Sequence, residues 1–186
     1  MDKKIKIGIT IGDPSGIGPE VVIKSLKIFR QPNDCEIFVF ADKIALMENG
    51  LGRKSCKFNL VDLNKIKKQE LKFGVLSKKF GLLSLTYLNE AVRFIKEGII
   101  NCLVTAPVSK KAINLNNIRF YGHTEFLARS FGIRNFVMMF ISKILRVSLV
   151  TRHIPLRKIC NILKKESIYA TVFLTYEALK NYFKIE

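Results

Sequence analysis

The apolar and polar positions change rhythm repeatedly along the chain, and each change marks an element. Residues Lys4 to Thr10 alternate, with Ile5, Ile7 and Ile9 on one side, which predicts a strand. Val22, Leu26 and Phe29 then recur at helical spacing behind Pro19, which suits the first position of a helix. Glu36 to Ala41 reads as a short apolar strand, Asp42 as the cap of a helix through Glu48, and Asn49-Gly50 as its stop. Lys57 to Leu63 is a further candidate strand, and the lysine-rich stretch Asn64 to Lys79 a surface connection. From Gly81 the period is helical again: Leu85, Leu88, Val92 and Ile95 line one face and Gly98 closes it. Asn101 to Thr105 predicts a buried strand, and Ser109 the cap of a short helix. Another helix is expected from the His123 loop through Phe131, ended by Gly132. Phe136 to Ile141 and Leu145 to Thr151 are two apolar, strand-like runs. Ile159, Ile162 and Leu163 suggest one helix; Val172, Tyr176, Leu179 and Phe183 give the face of another, with Ser167 as its cap.

Strands alternating with helices predict an α/β layered fold with a largely parallel sheet. In such sheets ligands bind beyond the carboxyl ends of the strands. Several distinctive stretches fall just after a predicted strand or close to one. The first is Ile11-Gly12-Asp13-Pro14-Ser15-Gly16-Ile17-Gly18-Pro19-Glu20, with three glycines and two prolines in ten residues. Strand, glycine loop, helix is the layout of a phosphate or dinucleotide site, but G-x-x-x-G-x-G matches neither the Rossmann spacing nor the P-loop. A tight connection with Asp13 capping its own turn is the equal alternative. The second is Thr105 to Lys111, where Lys110 stands at a strand-end turn, either to meet an anion or as one more solvated lysine.

The third is Tyr121-Gly122-His123-Thr124-Glu125-Phe126, which carries one of only two histidines. His123 can donate, accept or bind metal near neutral pH, and Thr124 offers a hydroxyl at a helix start, where free N–H groups favour an anion. The other histidine, His153, follows in Thr151-Arg152-His153-Ile154-Pro155-Leu156. Two histidines, each at a junction between elements, point to one site for a phosphorylated ligand and a metal. The plainer alternative for either is a surface or hydrogen-bonded structural histidine.

Composition narrows the class. The chain has 186 residues, enough for one domain or slightly more, and 48% are hydrophobic, enough for a core. The longest apolar run, Phe136 to Ile141, is far too short to span a bilayer, and no continuous apolar stretch follows the basic start Met1-Asp2-Lys3-Lys4. Cys35, Cys56, Cys102 and Cys160 are scattered without a C-x-x-C pair, which argues against structural zinc and for a reduced, cytoplasmic protein. Cys35 and Cys102 fall in or beside predicted strands, as small buried residues do. The net charge of +17 raises nucleic-acid binding, but the 32 Lys and Arg are spread along the chain with no aromatic-interleaved basic stretch. A lysine-rich surface gives the same total, so nucleic acid is not the expected partner.

Taken together, the residues resemble the 4-hydroxythreonine-4-phosphate dehydrogenase family of vitamin B6 biosynthesis. The matching blocks, in order, are Gly8 to Glu20, Val104 to Lys110, Gly122 to Glu125, and Leu145 to Leu156, so the likeness runs from Lys4 to Phe183. The resemblance implies an isocitrate/isopropylmalate dehydrogenase-like α/β fold and a homodimer with active sites near the subunit interface. It implies oxidation of a phosphorylated hydroxy amino acid by NAD or NADP, followed by loss of CO₂, with a divalent metal (Zn, Mg or Co). By position, His123 and Thr124 are similar to the family's substrate-binding pair, and His153 to one of its metal ligands. A metal on the substrate hydroxyl would lower its pKa and later hold the enolate left by decarboxylation.

The chain also departs from the pattern. The family continues with a second block of sheet and helix carrying the remaining histidine ligands, and no histidine or Asp follows His153 here. One histidine is too few for a tight catalytic metal. Arg152 stands where the family usually has a small polar residue, and its cation could oppose a metal. Residues 1–186 are therefore expected to be the N-terminal portion of such a fold, with an open sheet edge and an uncovered apolar face. Activity would then need the C-terminal half, from a complementing chain or its own continuation. An inactive remnant or docking subunit is the other reading.

Overall fold

The computed structural model describes residues 4–52 and 57–185; Cys56 and the first three residues of the basic start lie outside the described residues. The chain forms two compact units, Met1–His123 and Thr124–Glu186. In the first, the expected alternation is present: β1 (Ile5–Thr10), α1 (Gly18–Ile28), β2 (Cys35–Ala41), α2 (Lys43–Glu48), β3 (Asn59–Asp62), α3 (Lys78–Lys96), β4 (Cys102–Thr105) and α4 (Lys110–Asn114). The four strands pair in the order β3-β2-β1-β4, all parallel, with Ile7 opposite both Ile37 and Cys102.

A parallel sheet needs apolar cover on both faces. On one face, Phe94 of α3 meets Phe40 edge-on at 5.0 Å and Phe38 at 6.2 Å, above a core that includes Phe80, Leu83, Tyr87 and Ala91. On the other face, α1 turns Val22, Ile23 and Leu26 inward. Cover there is partial among the described residues. Ile7, Ile9, Ile37 and Val104 of the sheet, Leu26 of α1 and Phe29 just after it line an open apolar groove of about 690 Å³. This corrects the expectation that Asn101 to Thr105 is a buried strand. Among the described strands β4 lies at the end of the sheet, Val104 is 53% exposed, and Cys102 is exposed whereas Cys35 is buried.

Asp42 is a second correction. It occupies the residue before α2, but its carboxylate makes no cap bond. It is buried and accepts hydrogen bonds from the backbone N–H groups of Lys65 and Ile66 (2.7 Å for Ile66) and from the Tyr87 hydroxyl at 2.7 Å. Charge-assisted bonds of this kind compensate a carboxylate for leaving water. They also tie the segment after β3 to α3, so Asn64 to Lys79 is no loose connection: Ile66 is buried, and α3 starts at Lys78, where the Ser77 hydroxyl accepts from Phe80 N–H.

The second unit holds most of α5 (His123–Ser130), an antiparallel hairpin of β5 (Met138–Ile141) and β6 (Arg146–Leu149), α6 (Leu156–Ile162) and α7 (Lys165–Phe183). The expected face of α7 holds in part: Leu179 and Phe183 are half-buried, and the Arg146 guanidinium of β6 lies over the Phe183 ring at 5.1 Å. Val172 and Tyr176 are exposed, while Thr171 is buried and Thr175 lies 2.8 Å from the Ser148 hydroxyl of β6. Ser167 sits inside the first turn and Lys164 precedes the helix, because the Ser167 N–H is already turned back to the Lys164 carbonyl. Few side chains in this unit are buried, and Ile144, Leu156, Tyr169 and Tyr182 are largely exposed. Among the described residues no helix is long and apolar enough to cross a membrane.

Two stability predictions follow from these contacts. Tyr87→Phe should cost about 1–2 kcal/mol in urea unfolding, and Asp42→Ala, which strands its donors in the interior, about 3 kcal/mol or more. A fully tolerated Asp42→Ala would remove the buried carboxylate from its structural role. Gly12→Ala would put Cβ 2.1 Å from the Pro107 carbonyl at a φ of +71°, and should cost about 3 kcal/mol or more. Gly74→Ala, with the same φ and nothing within 4 Å, should cost only about 1 kcal/mol. Equal losses at the two glycines would show that backbone strain, and not the close approach, governs Gly12.

Candidate functional site

The glycine loop ends β1 and is consumed by its own contacts. Gly12 lies against the carbonyls of Ala106 and Pro107, and Asp13 N–H donates to the Pro107 oxygen at 3.0 Å. Asp13 Oδ1 accepts from Ser15 N–H at 2.9 Å and from the Ser15 hydroxyl at 2.8 Å, and both residues are buried. These N–H groups are spent inside the protein, so of the two sequence readings the structure favours the tight connection. The loop clasps the ends of β1 and β4 together.

That clasp leads directly to α4. Ser109 caps it, accepting from Ala112 N–H at 3.2 Å, so Lys110 opens the helix with its side chain exposed. Gly81 of α3 lets the two helix backbones touch, since a Cβ there would meet the Ala112 carbonyl at 2.3 Å. Asn114 at the end of α4 accepts from Phe120 N–H at 3.0 Å and anchors the approach to His123.

His123 is half-buried at the start of α5. Its ring stands edge-on to Phe120 at 6.0 Å, and its Nε2 is enclosed with no hydrogen-bond partner. Burial, and then the positive charge of Lys110, push its pKa below the ordinary 6.5. The imidazole is therefore neutral at neutral pH and keeps one ring nitrogen available for a ligand. Such an orphaned buried atom asks for a partner that the protein does not supply.

Within the second unit, Thr124 is half-buried in the first turn of α5. His153, after β6, is exposed and holds a left-handed backbone, φ +54°. Arg152 beside it does not stand free to repel a cation, as its position in the sequence suggested. Its guanidinium stacks on the Phe136 ring at 4.3 Å, its Nη1 donates to the Phe136 carbonyl at 3.4 Å, and its Nε lies 3.6 Å from Glu125 Oε1. Sequence reasoning missed Glu125 and Phe136 as its partners.

Among the described residues, no three His, Cys, Asp or Glu come together as a metal site. His153 would be a single exposed ligand, and the residues present do not fit a closed catalytic centre.

Comparison with known proteins gives a consistent result. The family model described as "Pyridoxal phosphate biosynthetic protein PdxA" matches residues 18–186. The chain is 33% identical to a 4-hydroxythreonine-4-phosphate dehydrogenase of Sulfurihydrogenibium sp., over 97% of this chain and 60% of that protein. It is 32% identical to a Clostridium botulinum protein named "Putative D-threonate 4-phosphate dehydrogenase", over 97% of this chain and 59% of that one. The crystal structure of 4-hydroxythreonine-4-phosphate dehydrogenase from Klebsiella pneumoniae superposes with a TM-score of 0.82 at 25% identity, covering 96% of this chain and 59% of that one. The chain thus spans about 60% of the length of the relatives it matches. With its parallel α/β sheet and ordered sequence blocks, this chain belongs to the PdxA family of pyridoxal phosphate biosynthetic proteins.

Proposed function

We propose that this chain carries the substrate-binding part of an NAD- or NADP-dependent 4-hydroxythreonine-4-phosphate dehydrogenase. The reaction is oxidation of the phosphorylated hydroxy amino acid, with loss of CO₂ from the resulting β-keto acid. The observation that carries this reading is the enclosed, unpartnered Nε2 of His123 beside Lys110. A neutral imidazole can donate to or accept from a substrate hydroxyl or carboxyl. Lys110 supplies the kind of cation that a phosphate ester needs, and the resemblance makes Thr124 the second substrate-binding residue.

In this reading the nicotinamide supplies the hydride acceptor and a divalent metal (Zn, Mg or Co) the Lewis acid, with His153 as one ligand. The other ligands would come from the segment that the relatives carry beyond the matched region. The substrate could equally be a related acid such as threonate 4-phosphate, given the relatives' names. A homodimer, or a complementing C-terminal half, would cover the apolar groove beside α1 and the exposed side chains of α7, and the compartment is the cytoplasm. A docking subunit without turnover is the second reading, favoured by the lack of three converging metal ligands among the described residues.

The direct test is NAD(P)H formation from 4-phosphooxy-threonine with a divalent metal. The purified 186-residue chain should give none. Supplied with the segment that its relatives carry beyond the matched region, it should turn over, and His123→Ala should then lower kcat/KM by about 10- to 100-fold. Full activity of that variant would end the substrate-binding assignment; no activity from the completed protein would leave the docking subunit. The electrostatics have their own check. An NMR titration should find the His123 midpoint below 6.5, and Lys110→Gln should move it part of the way back. Because the folded state resists protonation, stability is complete above the unfolded pKa of about 6.5 and falls as pH drops through and below it. His123→Gln should flatten that loss, and a midpoint at or above 6.5 would contradict a buried, neutral ring.

A further inference from the structure

His153 holds a backbone conformation that a side chain other than glycine seldom keeps without support from its surroundings. An exposed residue has few contacts of its own to supply that support, so it must come from a neighbour. The residue before it, Arg152, is the anchored one. Its guanidinium is fixed from two sides, by the Phe136 ring and carbonyl and by the Glu125 carboxylate, and its side chain is only 22% exposed. Arg152 Nε and Glu125 Oε2 are both enclosed without a hydrogen-bond partner, so the pairing between these charges is what compensates their burial.

Glu125 directly follows Thr124 in the first turn of α5, and Arg152 directly precedes His153. We propose that Arg152 is a positioning residue: clamped by Glu125 and Phe136, it holds His153 in the left-handed conformation and fixes the turn after β6 to the first turn of α5. The clamp sets the direction in which the His153 imidazole leaves the backbone. It also keeps the adjacent cation directed at Glu125 and Phe136. The value of the clamp for a dehydrogenase rests on the function proposed above; the clamp itself does not.

The test uses the 186-residue chain, without substrate or metal, and reads His153 by NMR. With two histidines in the sequence, the ring signals are readily assigned. In the unaltered chain the Cα shift and the H–N–Cα–H coupling of His153 should report φ > 0. Arg152→Gln should abolish that signature, and Glu125→Gln, remote in sequence, should weaken it and shift the His153 ring signal. In the Arg152→Gln background, Glu125→Gln should shift the His153 signal no further. Arg152→Lys, which keeps the charge but loses the planar fork, should give a partial loss. The proposal falls if His153 keeps φ > 0 in both Gln variants, or if the two substitutions act additively on its signal. Should Arg152→Gln fail to fold, Glu125→Gln and Arg152→Lys decide on the same readout, and an unmoved His153 in both overturns the proposal. Since no turnover is measured, failure here leaves the dehydrogenase reading standing, and failure of the turnover assay leaves the clamp.

Discussion

Gly12 and the carbonyls of Ala106 and Pro107 lie closer together than any side chain would allow, and the end of the first unit that carries His123 is built outward from that approach. The contact brings the segment after β1 against the segment after β4. It lets Asp13 close its turn and sets where α4 can begin. A second close approach, Gly81 of α3 against Ala112, fixes α4 to the core helix. Lys110 at one end of α4 and Asn114 at the other then locate the charge and the anchor that act on His123. His123 is thus positioned by backbone packed on backbone, which tolerates little adjustment.

Much of this was legible in the sequence because it rests on short-range rules. The alternation of Ile5, Ile7 and Ile9, the helical spacing of Leu85, Leu88 and Val92, and the cap at Ser109 each express a local preference that the fold keeps. The misreadings share a different cause. Asp42 has the sequence signature of a cap, yet its partners at Ile66 and Tyr87 are brought to it only by the parallel sheet. Cys102 and Val104 look like core residues, but their burial depends on what lies over them, and a strand's own sequence does not say whether it is central or at an end. The α7 stripe held at Leu179 and Phe183 but not at Val172 and Tyr176, since apolar spacing alone did not reveal that Thr175 meets Ser148 of β6.

Of the candidate site, residue identities could be read from ordered blocks, whereas their electrostatic states could not. That His123 is neutral follows from its enclosure and from Lys110, neither of which is local in sequence. That Arg152 is held by Glu125 and Phe136 follows from contacts between residues far apart in the chain, and it reverses the simplest reading of a cation beside a ligand position.

The enclosed phenol of Tyr87 has a consequence for how this unit can be observed. Burial, reinforced by the Asp42 charge, raises its pKa well above the ordinary 10.0. In alkaline solution one of the five tyrosines should stay un-ionised while the interior is closed, and absorb as phenolate only once it opens. Stability contributed by that raised pKa is complete below about pH 10 and drains away above it, so base both loosens the unit and colours the residue that reports the loosening. The protein carries its own optical gauge of whether the sheet and α3 are still joined.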